Sequence, residues 1–171
     1  FAPAYAVARA GIAQAAIVER PPRIDMARAS IEAALTLDPG LPEALALRSH
    51  IERTVDWYWD AAAATALMGL QRTPGDAGLM AEAARALFSA GQFEESVRYM
   101  SESLRRDPIN LNSRLSLGLA QEFAGDDEGA LSTYRQLLRL RPEFPAAHAF
   151  RARIRAIQEK PESALEESEL E

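Results

Sequence analysis

Apolar residues recur along this chain at spacings of three and four, and glycines or prolines interrupt them at regular intervals. That is the pattern of amphipathic helices joined by tight turns. Residues 111–142 carry it most clearly. Leu111, Leu115, Leu117, Leu119 and Phe123 load one broad side of a first helix, and Gly125 suits the left-handed residue that ends it. Asp126 or Asp127 is expected to cap a second helix, in which Ala130, Tyr134, Leu137 and Leu138 recur at helical spacing. Arg141-Pro142 stops that helix, because proline pushes the preceding residue out of helical geometry.

The rest of the chain repeats this unit more loosely. Pro39, Pro74, Pro108 and Pro142 lie 35, 34 and 34 residues apart. Ala27, Ala62, Ser96, Ala130 and Ala164 step by 35, 34, 34 and 34. A third ladder, Ser49, Ala84, Gly118 and Ala152, puts a small residue in successive first helices, where a neighbouring backbone must approach closely. Three ladders in one register define an all-α array of about five helix-turn-helix hairpins, over residues 2–41, 42–76, 77–110, 111–144 and 145–171. The first unit is 40 residues long between Ala2 and Pro42, the extra length lying in the turn Glu19-Arg20-Pro21-Pro22-Arg23. Pro42 opens the next helix where a missing N–H costs nothing, with Glu43 complementing the helix dipole. The last hairpin is short and acidic, and the chain, opening on Phe1, reads as an excised fragment.

Leu117-Gly118, Ala130-x-x-x-Tyr134 and Pro142 resemble the tetratricopeptide-repeat (TPR) pattern W-x-x-L-G-x-x-Y, A-x-x-x-F, P. Elsewhere the tryptophan slot holds Leu45, Met80, Arg114 and His148, and the tyrosine slot holds Glu52, Leu87, Gln121 and Arg155. The resemblance implies a right-handed superhelix that binds a protein or peptide on its concave side. A second resemblance covers mainly residues 1–74, through FAPAYAVARAGIA, PPRIDMARASIEAALTLDPGLPEALAL and VDWYWDAAA. It is to the TPR region that follows a nucleotide-cyclase, winged-helix or kinase domain in bacterial regulators, and it implies a regulatory or scaffold module of a larger cytoplasmic protein.

Composition narrows the function classes. The 171 residues are 48% hydrophobic and 26% charged, enough to build a core, and the net charge of −6 argues against a general nucleic-acid or anionic-membrane binder. Zero cysteines exclude disulfides and thiolate metal sites. Residues 1–18 are apolar, but Arg9 and Gln14 interrupt them, so a first helix of repeat one is expected rather than a signal peptide. Neither a phosphate-binding loop nor an H-E-x-x-H motif occurs, and His50 and His148 lack partners at metal-ligand spacing. No enzyme activity, metal or cofactor is expected. Asp56-Trp57-Tyr58-Trp59-Asp60 holds both tryptophans, which are expected to be buried fillers beside the thin run Ala61 to Ala64, the alternative being an exposed aromatic platform for a peptide or base.

The remaining candidate is the concave groove, whose lining should recur at i, i+4 and i+7 of each first helix. This gives Ala46, His50 and Arg53; Ala81, Arg85 and Phe88; Leu115, Leu119 and Glu122; and Ala149, Arg153 and Ala156. Glu82, Phe123 and Phe150 flank these rows. His50, Arg85, Leu119 and Arg153 form one equivalent row, cationic in an acidic chain, so an acidic peptide with apolar anchors at Phe88, Phe123 and Phe150 is the expected partner. The competing reading has these arginines paired with Glu82 and Glu122, binding nothing in particular. Repeat one offers only Ala6 and Ala10 where the carboxylate clamp of the chaperone-tail-binding TPR proteins would begin, which excludes that specialisation. Self-association of the array is the alternative role. Arg85 and Arg153 are expected to be exposed, so reversing both charges should weaken an acidic ligand and leave the fold intact.

Overall fold

The computed structural model describes residues 2–19, 22–144, 149, 150, 152 and 154. Among them the chain forms eight helices and no strand: α1 (Ala2–Val18), α2 (Ile24–Leu37), α3 (Pro42–Thr54), α4 (Trp59–Arg72), α5 (Ala77–Ser89), α6 (Phe93–Arg106), α7 (Leu111–Phe123) and α8 (Asp127–Leu140). These are four hairpins at the expected period. The fifth hairpin, with His148, Arg153 and Ala164, falls almost wholly outside the described residues, as do Arg20 and Pro21 of the first turn.

Local chemistry explains the boundaries. The side chains of Asp76, Asn110 and Asp126 accept from the backbone N–H of Leu79, Ser113 and Gly129, at 2.7, 3.0 and 2.9 Å. Of the two aspartates that open α8, Asp126 is therefore the cap and Asp127 the first helical residue. Gly91 and Gly125 adopt φ of 78° and 81° between the helices of their hairpins, the left-handed geometry that glycine enters without a Cβ clash.

The hairpins close where two ladders of small residues meet. Ser49 Oγ donates to the carbonyl of Ala62 at 2.8 Å, and one repeat later Ser96 Oγ donates to the carbonyl of Ala84 at 2.7 Å. In the fourth hairpin Gly118 and Ala130 take the same places, and the buried Tyr134 ring lies over Gly118. What crowds Gly118 is thus a side chain rather than the expected backbone. A Cβ there would stand 2.5 Å from Tyr134 Cε1. Between hairpins, α3 packs on α1, α5 on α3 and α7 on α5, whereas the backbones of even-numbered helices stay apart from one another among the described residues. The odd-numbered helices are thereby drawn together into the inner wall of a superhelix.

Two expectations are corrected here. Ala6 and Ala10 are buried like Leu45 and Ser49, which follow them by 39 residues, so Ala2 and Pro42 are not equivalent starts. The 17-residue α1 begins earlier in its repeat than the 13-residue α3. The tryptophans, in turn, are not buried: Trp57 is 70% exposed, Tyr58 66% and Trp59 41%. No gap exists for them to fill, because Ala62, Ala63 and Ala66 let α4 approach its neighbours directly.

Gly118→Leu should lower stability by roughly 3 kcal/mol, or about 10 °C in melting temperature. The Tyr134 ring cannot step aside, since it is fully buried and its hydroxyl donates to Glu122 Oε2 at 3.0 Å. Thermal melting followed by circular dichroism checks this; an unchanged transition would refute the crossing just described.

Candidate functional site

The concave face is built from the half-buried side of the odd-numbered helices. Its centre lies between α3 and α5. Glu82, in the middle of α5, is buried by that helix's packing against α3, α4, α6 and α7, with its side chain only 5% exposed. Arg53 Nε reaches Glu82 Oε1 at 3.0 Å, and Arg85 donates to Oε2 through Nε at 3.0 Å and NH2 at 2.7 Å. His50 Nδ1 accepts from Arg53 NH2 at 3.3 Å, which puts the proton of the neutral ring on Nε2.

Burial by itself would raise the pKa of Glu82, but His50, Arg85 and Arg53 more than offset it and bring the carboxyl from 4.5 down to about 2. His50 Nδ1 stands 3.8 Å from Oε1, beyond hydrogen-bond reach, so the two guanidiniums supply most of this stabilisation. Two arginines against one carboxylate leave one net positive charge.

Beside this cluster is a cleft of ≈ 270 Å³ lined by Arg53, Arg85, Phe88, Ser116 and Leu119 among others. Phe88 meets Phe123 edge-on at 5.2 Å and Phe93 at 5.5 Å, so the aromatic wall adds Phe93 to the expected Phe88 and Phe123. Phe93 opens α6 and escaped a rule that sampled only first helices. Toward α1 the face widens into a hollow of ≈ 470 Å³ between Val7, Gly11, Gln14, Ala46 and Gly78. Val7, Gly11 and Gln14 precede Ala46, His50 and Arg53 by 39 residues and are the α1 lining that a 40-residue register misses.

The expected site residues therefore divide. His50, Arg53, Arg85, Phe88 and Leu119 converge on the central face. Glu122 receives the Tyr134 hydroxyl, and Phe123 is mostly exposed at the end of α7. Phe150 is not a groove anchor: it is buried, stacked on Tyr134 at 5.5 Å and packed with Leu137. Arg153 lies outside the described residues. Arg85 is 31% exposed and tied to Glu82, so reversing its charge would set a second carboxylate against a buried one rather than spare the fold. No cluster of metal-ligating side chains and no helix long and apolar enough to cross a membrane occurs among the described residues.

The family model described as tetratricopeptide repeat matches residues 81–143 and 115–171, which together span more than half of the chain. No curated protein matches it. Among solved structures, Pseudomonas aeruginosa pilF is 16% identical, with 90% of this chain and 67% of that one covered at a TM-score of 0.77. YrrB, described as a TPR protein with an unusual peptide-binding site, is 19% identical over 94% of this chain and 81% of that one, TM-score 0.69. The second TPR domain of human RPAP3, solved with the HSP70 peptide SGPTIEEVD, is 20% identical over 70% and 99%, TM-score 0.60.

The depressed pKa of Glu82 fixes a sign. A carboxyl held near 2 when folded and near 4.5 when unfolded contributes stability that is complete above about pH 5 and lost as pH falls toward 2. Glu82→Gln should cost roughly 3 kcal/mol at pH 7 and should melt with a shallower pH dependence than the native chain between pH 5 and 3. Parallel pH profiles of melting temperature check this; coincident slopes would refute the buried ion cluster.

Proposed function

The chain belongs to the tetratricopeptide-repeat family, and from that premise we propose that it is a non-catalytic interaction module whose concave face binds an extended, acidic peptide with apolar side chains. One observation carries the reading: the Arg53–Glu82–Arg85 cluster keeps a surplus positive charge at the centre of the concave face of a chain whose net charge is −6. Preorganised guanidiniums suit carboxylates, because the buried Glu82 has already restricted their rotamers. The aromatic wall of Phe88, Phe93 and Phe123 on one side and the apolar hollow at Val7 and Ala46 on the other would receive the flanking side chains. The fold supports interaction as the general role. The RPAP3 domain, whose bound peptide SGPTIEEVD contains acidic and apolar residues, supports this kind of ligand. The resemblance of residues 1–74 to bacterial regulators supports a cytoplasmic module that positions or regulates a partner or a linked domain.

The face of α1 favours a second reading. Tyr5 and Ile12, seven residues apart on one side of α1, are exposed on a helix whose only charged residue is Arg9, which suits self-association of the array. Light scattering across a dilution series separates the two, since a groove binder stays monomeric.

Selection of a random displayed-peptide library against the whole chain should enrich sequences that place Asp or Glu beside Leu, Ile, Val or Phe. Arg85→Ala leaves Glu82 paired with Arg53 and should weaken the selected peptides about tenfold while flattening their salt dependence. Enrichment of basic or unrelated sequences, or equal binding by the variant, would refute the groove reading.

A further inference from the structure

The residue two places before the second helix is left-handed in three successive hairpins. Two of them use glycine, Gly91 and Gly125; the other, 34 residues earlier, uses Trp57, at φ 63°. The residues that follow, Tyr58, Gln92 and Asp126, share one backbone conformation, with φ between −86° and −92° and ψ of 70° or 71°. The turn is thus the same device in all three, and Trp57 is strained where glycine would not be. Burial does not compensate, because Trp57 is the more exposed of the two tryptophans.

The surroundings hold the turn in this shape. Arg28 grips Asp56 through two hydrogen bonds of 3.0 and 2.5 Å, and the N–H groups of Asp56 and Tyr58 return to the carbonyls of Ile51 and Glu52. Trp57 and Trp59 stand with ring centroids 6.2 Å apart, tilted by 45°. Tyr58 forms one wall of a hollow of ≈ 300 Å³ between α2 and α3. Its charges are the carboxylates of Glu32, Glu52 and Asp56 against Arg28 and Arg48, and both arginines are already bound to those carboxylates. Asp60, exposed in the first turn of α4, brings the tally to four negative against two positive. Among the described residues no guanidinium stacks on either indole.

We propose that the turn of residues 56–60 is a second docking site, separate from the concave groove, which takes an arginine or lysine side chain of a partner protein against the exposed indoles. A cation over an indole face gains from the ring quadrupole, and the surplus carboxylates favour the same charge. The strain at Trp57 is the cost of holding that ring out in solvent rather than turning the chain on glycine. The two surfaces select opposite charges, acidic segments in the groove and basic ones at the turn.

Both tryptophans of the chain lie in this turn, so their fluorescence reports it alone. The test titrates the full 171-residue chain with end-capped peptides of alternating glycine and arginine, and with the lysine, proline and glutamate counterparts. The arginine and lysine peptides should change tryptophan emission saturably and in a salt-dependent manner, and Asp60→Asn should weaken them several-fold. Trp57→Gly should weaken binding by about fivefold or more while melting about 2–4 °C higher, and Trp57→Phe should retain part of the affinity. The Arg85→Ala variant should bind as the native chain does, which separates this site from the groove. A lower melting temperature for Trp57→Gly would make Trp57 a structural residue and overturn the proposal. So would saturable binding of the proline or glutamate peptide alone, or emission that changes with protein concentration without any peptide.

Discussion

Everything in this array depends on how closely the two helices of a hairpin cross. Ser49 against Ala62 and Ser96 against Ala84 bring a hydroxyl onto the facing backbone carbonyl, and in the fourth hairpin Gly118 makes room for the Tyr134 ring. A larger residue at these points would push the hairpin open and break the stacking of each odd-numbered helix on the next. The 34-residue period is therefore a packing requirement before it is a sequence pattern. A curved inner wall of α1, α3, α5 and α7 follows from it.

Once the inner wall exists, its chemistry is decided by what remains after packing. The central helix α5 spends most of its surface on neighbours, with eight of its thirteen residues buried. Glu82 is among them, and a carboxylate in that place is tolerable only because Arg53 and Arg85 satisfy both of its oxygens. The same bonds fix the arginines in the groove, so one buried group serves both the fold and the binding surface. The exposed aromatic turn is built on the opposite logic. There a ring is kept out of the core at a conformational cost, by Arg28 and Asp56.

The period and the all-α class were legible in residue order because they rest on local chemistry: a cap at the start of α8, a left-handed glycine at 125, and small residues at fixed steps. That His50, Arg53, Arg85, Phe88 and Leu119 lie together on one face was legible for a related reason, since helical spacing names a face once a register is known. Three assignments were not. The α1 lining at Val7, Gly11 and Gln14 depends on which turn of a longer helix meets α3, and Phe150 on whether Tyr134 or solvent claims its ring. The outward pose of Trp57 depends on α4 already packing tightly through its alanines. Sequence by itself determined the repeat and the faces of its helices, because caps, turns and periodicity act within a few residues. Tertiary structure alone decided which aromatic rings are core and which are surface, because that turns on the space left between helices distant in the chain.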